Sequence, residues 1–322
     1  MQRYVAGRLV ESLVVLAIMS YLIYGLIGLM PGDPIDIMVQ SDPNLTPADA
    51  ARLKALYGLD KPLHERYLNW LEGALSGDFG YSRVHNQPVL EVLGPRLVNT
   101  MVLMGLSFIA ALLVALPLGI YSALRPYGAR DYAVNLAALA GISVPVFWLA
   151  LMLIYLFSVL WGVLPAGGMQ TIGVDSVLDR AKYLVLPVLT LSAATVGGFT
   201  RFMRAEMMVT MRHDYIRTAR AKGLSERRVV LKHALRNALI PVVTIAALSF
   251  GSLFSGALIT ETMFSYLGMG KLIYDSIMGN DYNVALVSLL FATMLVLLAN
   301  LLADVCYAWL DPRISYCGER PP

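Results

Sequence analysis

The sequence predicts an all-α, polytopic membrane protein with six transmembrane helices. Three observations predict it. Of 322 residues, 57% are apolar and 15% charged, against about 25% charged in an average soluble domain, and the mean hydropathy is +0.64. This composition excludes an ordinary soluble fold, and also disorder, which goes with low hydrophobicity. Second, six stretches reach the ~20 mostly apolar residues that a spanning helix needs: residues 9–30, 100–124, 132–161, 183–201, 238–260 and 283–310. Third, lysine and arginine are unevenly shared among the connecting segments, as the positive-inside rule requires.

The first stretch is longer than the ~7–15-residue core of a secretion signal. No small-x-small site follows it before Pro31-Gly32-Asp33-Pro34, so it reads as a retained anchor. The third and sixth stretches exceed a bilayer's need and are expected to tilt or project into water. Pro117, Pro145, Pro187 and Pro241 lie in or beside apolar runs; each is a kink or a break in a span. With the N-terminus inside, the inner segments hold 16 of the 25 basic residues, and six of the nine outer ones fall in one long loop. Both termini are therefore expected in the cytoplasm.

Two segments between spans are long enough for aqueous work. The outer one, residues 31–98, carries six basic and nine acidic residues. Thr46-Pro47-Ala48-Asp49 has the pattern of a helix start, with an N-cap, a proline at the first helical position and an early carboxylate; that helix would end near Gly58. A second helix is expected after Lys61-Pro62, with Leu63, Tyr67, Leu68, Trp70, Leu71 and Leu75 on an apolar face. The loop is either a small packed cap or part of a docking face for an outside partner.

The inner segment, residues 201–236, holds ten basic and three acidic residues (Glu206, Asp214, Glu226), a net +7. Asp214-Tyr215-Ile216-Arg217-Thr218-Ala219-Arg220-Ala221-Lys222 favours a helix, and Gly223 can end it in a left-handed conformation. Ser225 is placed to cap a second helix, 226–235. Topology requires only charge, whereas a small-residue helix with a glycine break suits docking; Ala219, Ala221 and Gly223 are expected to let a partner approach closely.

Catalytic signatures are missing from the sequence. His64-Glu65 lacks the second histidine of a metalloprotease, Gly141-Ile142-Ser143-Val144-Pro145 lacks the last glycine of a nucleophile elbow, and Gly268-Met269-Gly270-Lys271 is no phosphate-binding loop. Cys306 and Cys317 give neither a disulfide framework nor a zinc spacing. Carriers driven by protons or sodium keep ionisable groups deep in the membrane; here Glu11 and Asp304 lie near span ends. The sequence reads as a pathway without its own engine, with no cofactor, metal or catalytic residue expected.

Several stretches resemble one family, the permease subunits of bacterial ATP-binding-cassette importers in the dipeptide, oligopeptide and nickel branch. They are Pro31-Gly32-Asp33-Pro34; Tyr57-Gly58-Leu59-Asp60-Lys61-Pro62 with Arg66-Tyr67 and Gly77-Asp78-Phe79-Gly80-Tyr81-Ser82; the run from Asp214 to Leu224; His233-Ala234-Leu235-Arg236-Asn237-Ala238-Leu239-Ile240-Pro241; Glu261-Thr262; and Asp311-Pro312-Arg313. The resemblance implies the type I importer permease fold with an outer helical loop after the first span. It implies that Asp214, Tyr215, Ile216, Arg217, Thr218, Ala219, Arg220, Ala221, Lys222 and Gly223 form the coupling helix of the so-called EAA loop, seated in a groove of an ATPase subunit. It also implies a second, usually different, permease, two ATPases that bind ATP inside, a substrate-binding protein outside, and residence in a bacterial inner membrane.

Within that frame the chain divides into a cytoplasmic N-terminus (1–8), a first span (9–30), an outer loop (31–98), a five-helix core (99–310) containing the coupling loop (201–236), and a cytoplasmic tail (311–322). The small-residue run from Ser192 to Gly198 either packs closely against another helix or lines a polar pathway. Candidate pathway or gating residues are Ser192, Thr195, Ser252, Ser255 and Glu261. Arg217-Thr218-Ala219 stands in the family's Glu-Ala-Ala position, and Arg236 stands where its terminal proline would fall. Leu267 and Asn283 also replace prolines expected from the pattern. Peptides, nickel chelates and glutathione-like solutes are all compatible cargo. Export by a similar assembly, or a stand-alone carrier, are the alternatives.

Overall fold

The computed structural model describes residues 2–29, 46, 49, 52, 61–251 and 253–310. Helix α1, Gln2–Gly28, begins the chain. The start signal at Thr46 is present locally: the Asp49 carboxylate accepts from the Thr46 amide and hydroxyl at 3.0 and 2.6 Å. Residues 49 and 52 are helical; the rest of the helix expected up to Gly58 falls outside the described residues, as do Pro31-Gly32-Asp33-Pro34 and residues 311–322. Helix α2, Leu63–Leu75, follows Pro62 as expected. It buries Tyr67 and half-buries Trp70 against α1 while Leu68 and Leu75 stay exposed. The Tyr67 hydroxyl bonds Ser20 at 2.7 Å, and its ring meets Tyr21 and Tyr24 edge-on at 5.1 and 5.7 Å.

Helix α3, Val89–Leu124, starts eleven residues before the apolar run and absorbs Pro95 and Pro117. The third span departs most from expectation. It is two helical pieces: α4, Ala129–Ser143, and α5, Val146–Leu153, which continues as a π-helix, Ile154–Leu160. They are bent by 102° at the break. Pro145 disfavours helical dihedrals at the residue before it, and Val144 is extended (φ −78°, ψ 124°). Pro187 and Pro241, like Pro95 and Pro117, lie inside continuous helices. Helix α6, Val177–Thr210, is the longest element after α3. Helix α7, Asp214–Ala221, is the predicted docking helix.

The fifth span opens with a helical turn, Glu226–Arg228, and a π-helix, Val229–Ala234, before α8, Leu235–Phe250, and α9, Leu253–Met263. The second helix expected over 226–235 therefore does not stop; it runs into the span. A short helix α10, Met269–Met278, and the last span α11, Tyr282–Leu310, complete the order. Among the described residues five helices are long and apolar enough to cross a membrane, or six if the bent pair counts as one.

α6 is the hub. It packs along α3, against α4 and α8, and against α5. Glycine permits the closest of these contacts: a Cβ on Gly119 would lie 2.7 Å from the Thr200 carbonyl, and one on Gly197 2.3 Å from the Ala138 carbonyl. α1 lies on α11, and Arg8 there bridges Glu11 and Asp304 at 3.1 and 3.2 Å, so both near-terminal carboxylates are neutralised locally.

Two residues standing where proline was expected make contacts of their own. The Asn283 amide donates to the Tyr81 carbonyl at 3.1 Å, and the Leu267 N–H meets the Met169 sulfur at 3.3 Å. Proline supplies neither donor. At the same end of the bundle Asp281 accepts from the Ser82 hydroxyl (2.5 Å) and the Val84 N–H (3.1 Å), pinning the 80–88 loop to the turn before α11.

Candidate functional site: a rooted docking helix and a cleft along α6

α7 stands on the end of the bundle that carries the +7 segment. Its amphipathic pattern roots it. Ile216 is fully buried and Ala219 nearly so, in a cluster with Met203 and Met207 of α6 and Val229, Val230 and Ala234 of the fifth span. Burying Ile216 contributes about 1.5–3 kcal/mol. Tyr215, Arg217, Thr218, Ala221 and Lys222 face outward. Ala219 was expected on the partner-facing side; its burial turns it into the core, because it lies three residues from Ile216 on the same helical face.

The helix ends as predicted. Gly223 has φ +76°, its N–H donates to the Arg220 carbonyl at 2.9 Å, and the Leu224 N–H reaches the Ala219 carbonyl at 3.4 Å. This is the Schellman pattern, with Leu224 packed back on the Ala219 cluster. Ser225 occupies the next N-cap position, but its side chain makes no capping bond; its carbonyl instead accepts from Arg228 and Val229. Arg220 closes the turn by a two-point contact with Glu226, at 2.6 and 3.1 Å. Those bonds hold the Arg220 guanidinium even more firmly protonated than usual. The exposed Asp214–Arg217 pair, at 3.3 Å, adds little.

Next to Met203, which shares the Ile216 cluster, α6 carries Arg204 in an ion pair that the sequence does not announce. Asp131 of α4 is 2% exposed. Its carboxylate accepts Arg204 Nε and Nη2 of α6, each at 2.6 Å, the Tyr127 N–H at 2.7 Å, Asn135 Nδ2 at 2.6 Å and the Ser122 hydroxyl of α3. Tyr127 takes a left-handed conformation (φ 62°) to present that N–H, and the Arg204 guanidinium sits 5.9 Å from its ring centre. Three helices meet on one carboxylate. Asp131→Ala would leave the Arg204 guanidinium, whose side chain is 20% exposed, without its partner and is expected to cost about 1–3 kcal/mol, whereas Asp131→Ala with Arg204→Leu removes both partners and should recover much of the loss. Thermal aggregation of the detergent-solubilised chain checks this; a double variant no more stable than the single one would show that the pair is not the cause.

The candidate pathway residues separate. Thr195 lines an open cleft of about 420 Å³ between α6 and α8, with Ala194, Gly198, Phe199, Phe202, Ile245 and Ser249. Ser192 is buried, and its hydroxyl donates to the Leu189 carbonyl in its own helix at 3.2 Å. Ser252 lies outside the described residues, as does the side chain of Ser255. Glu261 is fully buried near the opposite end of the bundle from α7. It accepts from the Thr100 hydroxyl at 2.5 Å and the Lys271 N–H at 3.1 Å, while Thr100 accepts from the Met269 N–H at 2.7 Å. Together they satisfy the N-terminal amides of α10, where a carboxylate suits the helix dipole. Gly268 and Gly270 have no room for a Cβ beside it, at 2.3 Å from its carboxyl carbon and 2.4 Å from Leu258 Cα. Glu261 thus clamps α3, α9 and α10 together.

Below Thr195, toward α7, a second cleft of about 470 Å³ shares Gly198 and Phe202 with the first and adds Asn135, Ile142, Arg201, Arg204 and Ala205. The face of α6 between α4 and α8 is therefore open from Ala194 to Ala205. Among the described residues no group of three or more His, Cys, Asp or Glu side chains is placed to hold a metal ion.

Residues 115–316 match the family described as binding-protein-dependent transport system inner membrane component, and residues 1–104 match its N-terminal companion. The oligopeptide transport system permease protein AppB of Bacillus subtilis is 40% identical over 318 residues, covering 98% of this chain and all of that one. The glutathione transport system permease protein GsiC of Escherichia coli K12 is 37% identical over 316 residues, with 98% and 100% covered. Among solved structures, the inward-facing MetNI methionine ABC transporter aligns with a TM-score of 0.57 at 19% identity, covering 69% of this chain and 97% of that one. That likeness concerns the fold.

Proposed function

The chain belongs to the family of binding-protein-dependent transport system inner membrane components, and on that premise we propose that it is the membrane-spanning permease subunit of an ATP-binding-cassette importer of peptides. Its fold is that of ABC importer permeases, and it is a multi-pass membrane protein. Oligopeptides are the cargo named for the 40% identical relative, and glutathione, itself a small peptide, for the 37% identical one. Both names support peptide cargo.

In this reading α7 lies in the cytoplasm with both termini, and the outward face from Tyr215 to Lys222 seats in a groove of an ATPase subunit. Two such subunits bind the ATP; this chain binds no cofactor and contributes no catalytic residue. A second, homologous permease completes the pathway along the open face of α6, with Thr195 on its wall. A substrate-binding protein docks at the opposite end, where α2, the 80–88 loop and α10 are tied together. When the ATPases close, α7 moves with them. Because Ile216 and Ala219 are embedded in the core, and Asp131 joins α3, α4 and α6 beside it, the displacement passes to the spans as a rigid movement. The spans then rock between inward- and outward-facing states. Such coupling is a free energy shared between two sites, not a chemical step.

The rooted, glycine-terminated α7 carries this reading. Its test is reconstitution. The chain co-expressed with its neighbouring permease and ATPase genes and placed in proteoliposomes should take up labelled peptide only with ATP and the binding protein present. Flux or ATP hydrolysis by the chain alone would overturn it.

A further inference from the structure

We propose that Arg201 is a binding group for the carboxylate of the transported solute, placed at the cytoplasmic end of the cleft along α6. The inference rests on the peptide-import reading and adds a specificity-determining residue to it. Two guanidiniums line the lower cleft, three residues apart on α6. Arg204 is neutralised by its two-point contact with buried Asp131. Arg201 is exposed, and among the described residues no carboxylate pairs with it. The cleft therefore carries one uncompensated positive charge.

Its other walls suit a peptide. Phe202 and Ile142 offer apolar surface, and Gly198 leaves the floor open, since a Cβ there would meet no atom within 4 Å. About 470 Å³ lies in the range of small-molecule sites. The cleft continues upward into the one lined by Thr195, which has no charged side chain among its described lining residues. Thr195 and Arg201 are six residues apart, or about 9 Å along a helix. A solute descending this face passes from hydroxyl and apolar contacts to a single free guanidinium, whose fork of donors matches a carboxylate. Every unmodified peptide presents one carboxylate at its C-terminus.

The test compares uptake of trialanine with that of its C-terminal amide, in proteoliposomes holding the complete transporter and binding protein. Wild type, Arg201→Gln and Arg201→Lys are measured in parallel. Loss of a charge-assisted hydrogen bond is expected to lower the acid-over-amide preference about tenfold in Arg201→Gln, with Arg201→Lys keeping most of it. Any preference due to the binding protein is common to all three and cancels in the comparison. The ratio within one variant is also independent of how much of it folds. An acid-over-amide ratio in Arg201→Gln equal to that of wild type would overturn the carboxylate assignment and leave peptide import standing. If wild type takes up neither compound, the import of peptides fails and this proposal with it.

Discussion

Replacing Gly223 with valine is expected to lower peptide uptake and the accompanying ATP hydrolysis about five- to thirtyfold, with the chain still inserted and folded. The magnitude follows from the conformation. Gly223 has φ +76°, a region that costs other L-residues ~1–2 kcal/mol and β-branched ones more, and each such increment changes an equilibrium about five- to thirtyfold. A Cβ there would meet no atom within 4 Å, so the damage is confined to the backbone at the end of α7. The strain is relieved by opening the Gly223–Arg220 and Leu224–Ala219 bonds, which frays the last turn and releases Leu224 from the core. Gly223→Asn tolerates the left-handed region and should keep most of the activity. Uptake and nucleotide hydrolysis in the same proteoliposomes measure both variants. A valine variant as active as wild type would remove α7 from the coupling path.

The second large effect separates two neighbouring glycines. Gly197→Val is expected to leave little folded protein, whereas Gly198→Ala should be at least as stable as wild type. At Gly197 the backbones of α4 and α6 touch: a Cβ would stand 2.3 Å from the Ala138 carbonyl and 2.8 Å from Ile142 Cγ1. A backbone carbonyl in a helix cannot swing aside, so the helices must separate. Overpacking of this kind costs about 1–3 kcal/mol. The separation also pulls Asp131 of α4 from Arg204 of α6, and breaking that buried pair adds to the loss. Gly198 faces open space, so alanine there gains helix propensity of up to ~1 kcal/mol without a clash. Yield of monodisperse protein and thermal aggregation in detergent report the difference. Equal behaviour of the two variants would mean that the α4–α6 contact is not tight in solution. The Gly198 variant speaks only to stability, since that residue also floors the cleft.

Much of this architecture was legible without coordinates. A spanning helix is a local consequence of about twenty apolar residues, and Gly223 needs only its immediate neighbours to end α7. The long third stretch was legible as apolar, but its course was not. Pro117, Pro145, Pro187 and Pro241 look alike in sequence, yet only Val144-Pro145 breaks its helix. Similarly, Ala219 and Ala221 are the same residue type two positions apart, and packing buries one and exposes the other. Glu261 read as a pathway carboxylate; its partners, Thr100 and Lys271, come from segments 161 and 10 residues away.

The linear order of residues by itself determined the span-forming stretches, the basic segment between the fourth and fifth spans and its glycine stop. These depend on hydropathy, charge and dihedral preference within one or two helical turns. Only the tertiary structure decided that Asp131 meets Arg204 across 73 residues, that Gly197 is closed and Gly198 open, and that of the two arginines lining the cleft Arg204 is paired while Arg201 has no carboxylate partner among the described residues. Each of these depends on how one helix is rotated and set in depth against another. That is fixed by side-chain packing across the whole bundle, and no local pattern encodes it.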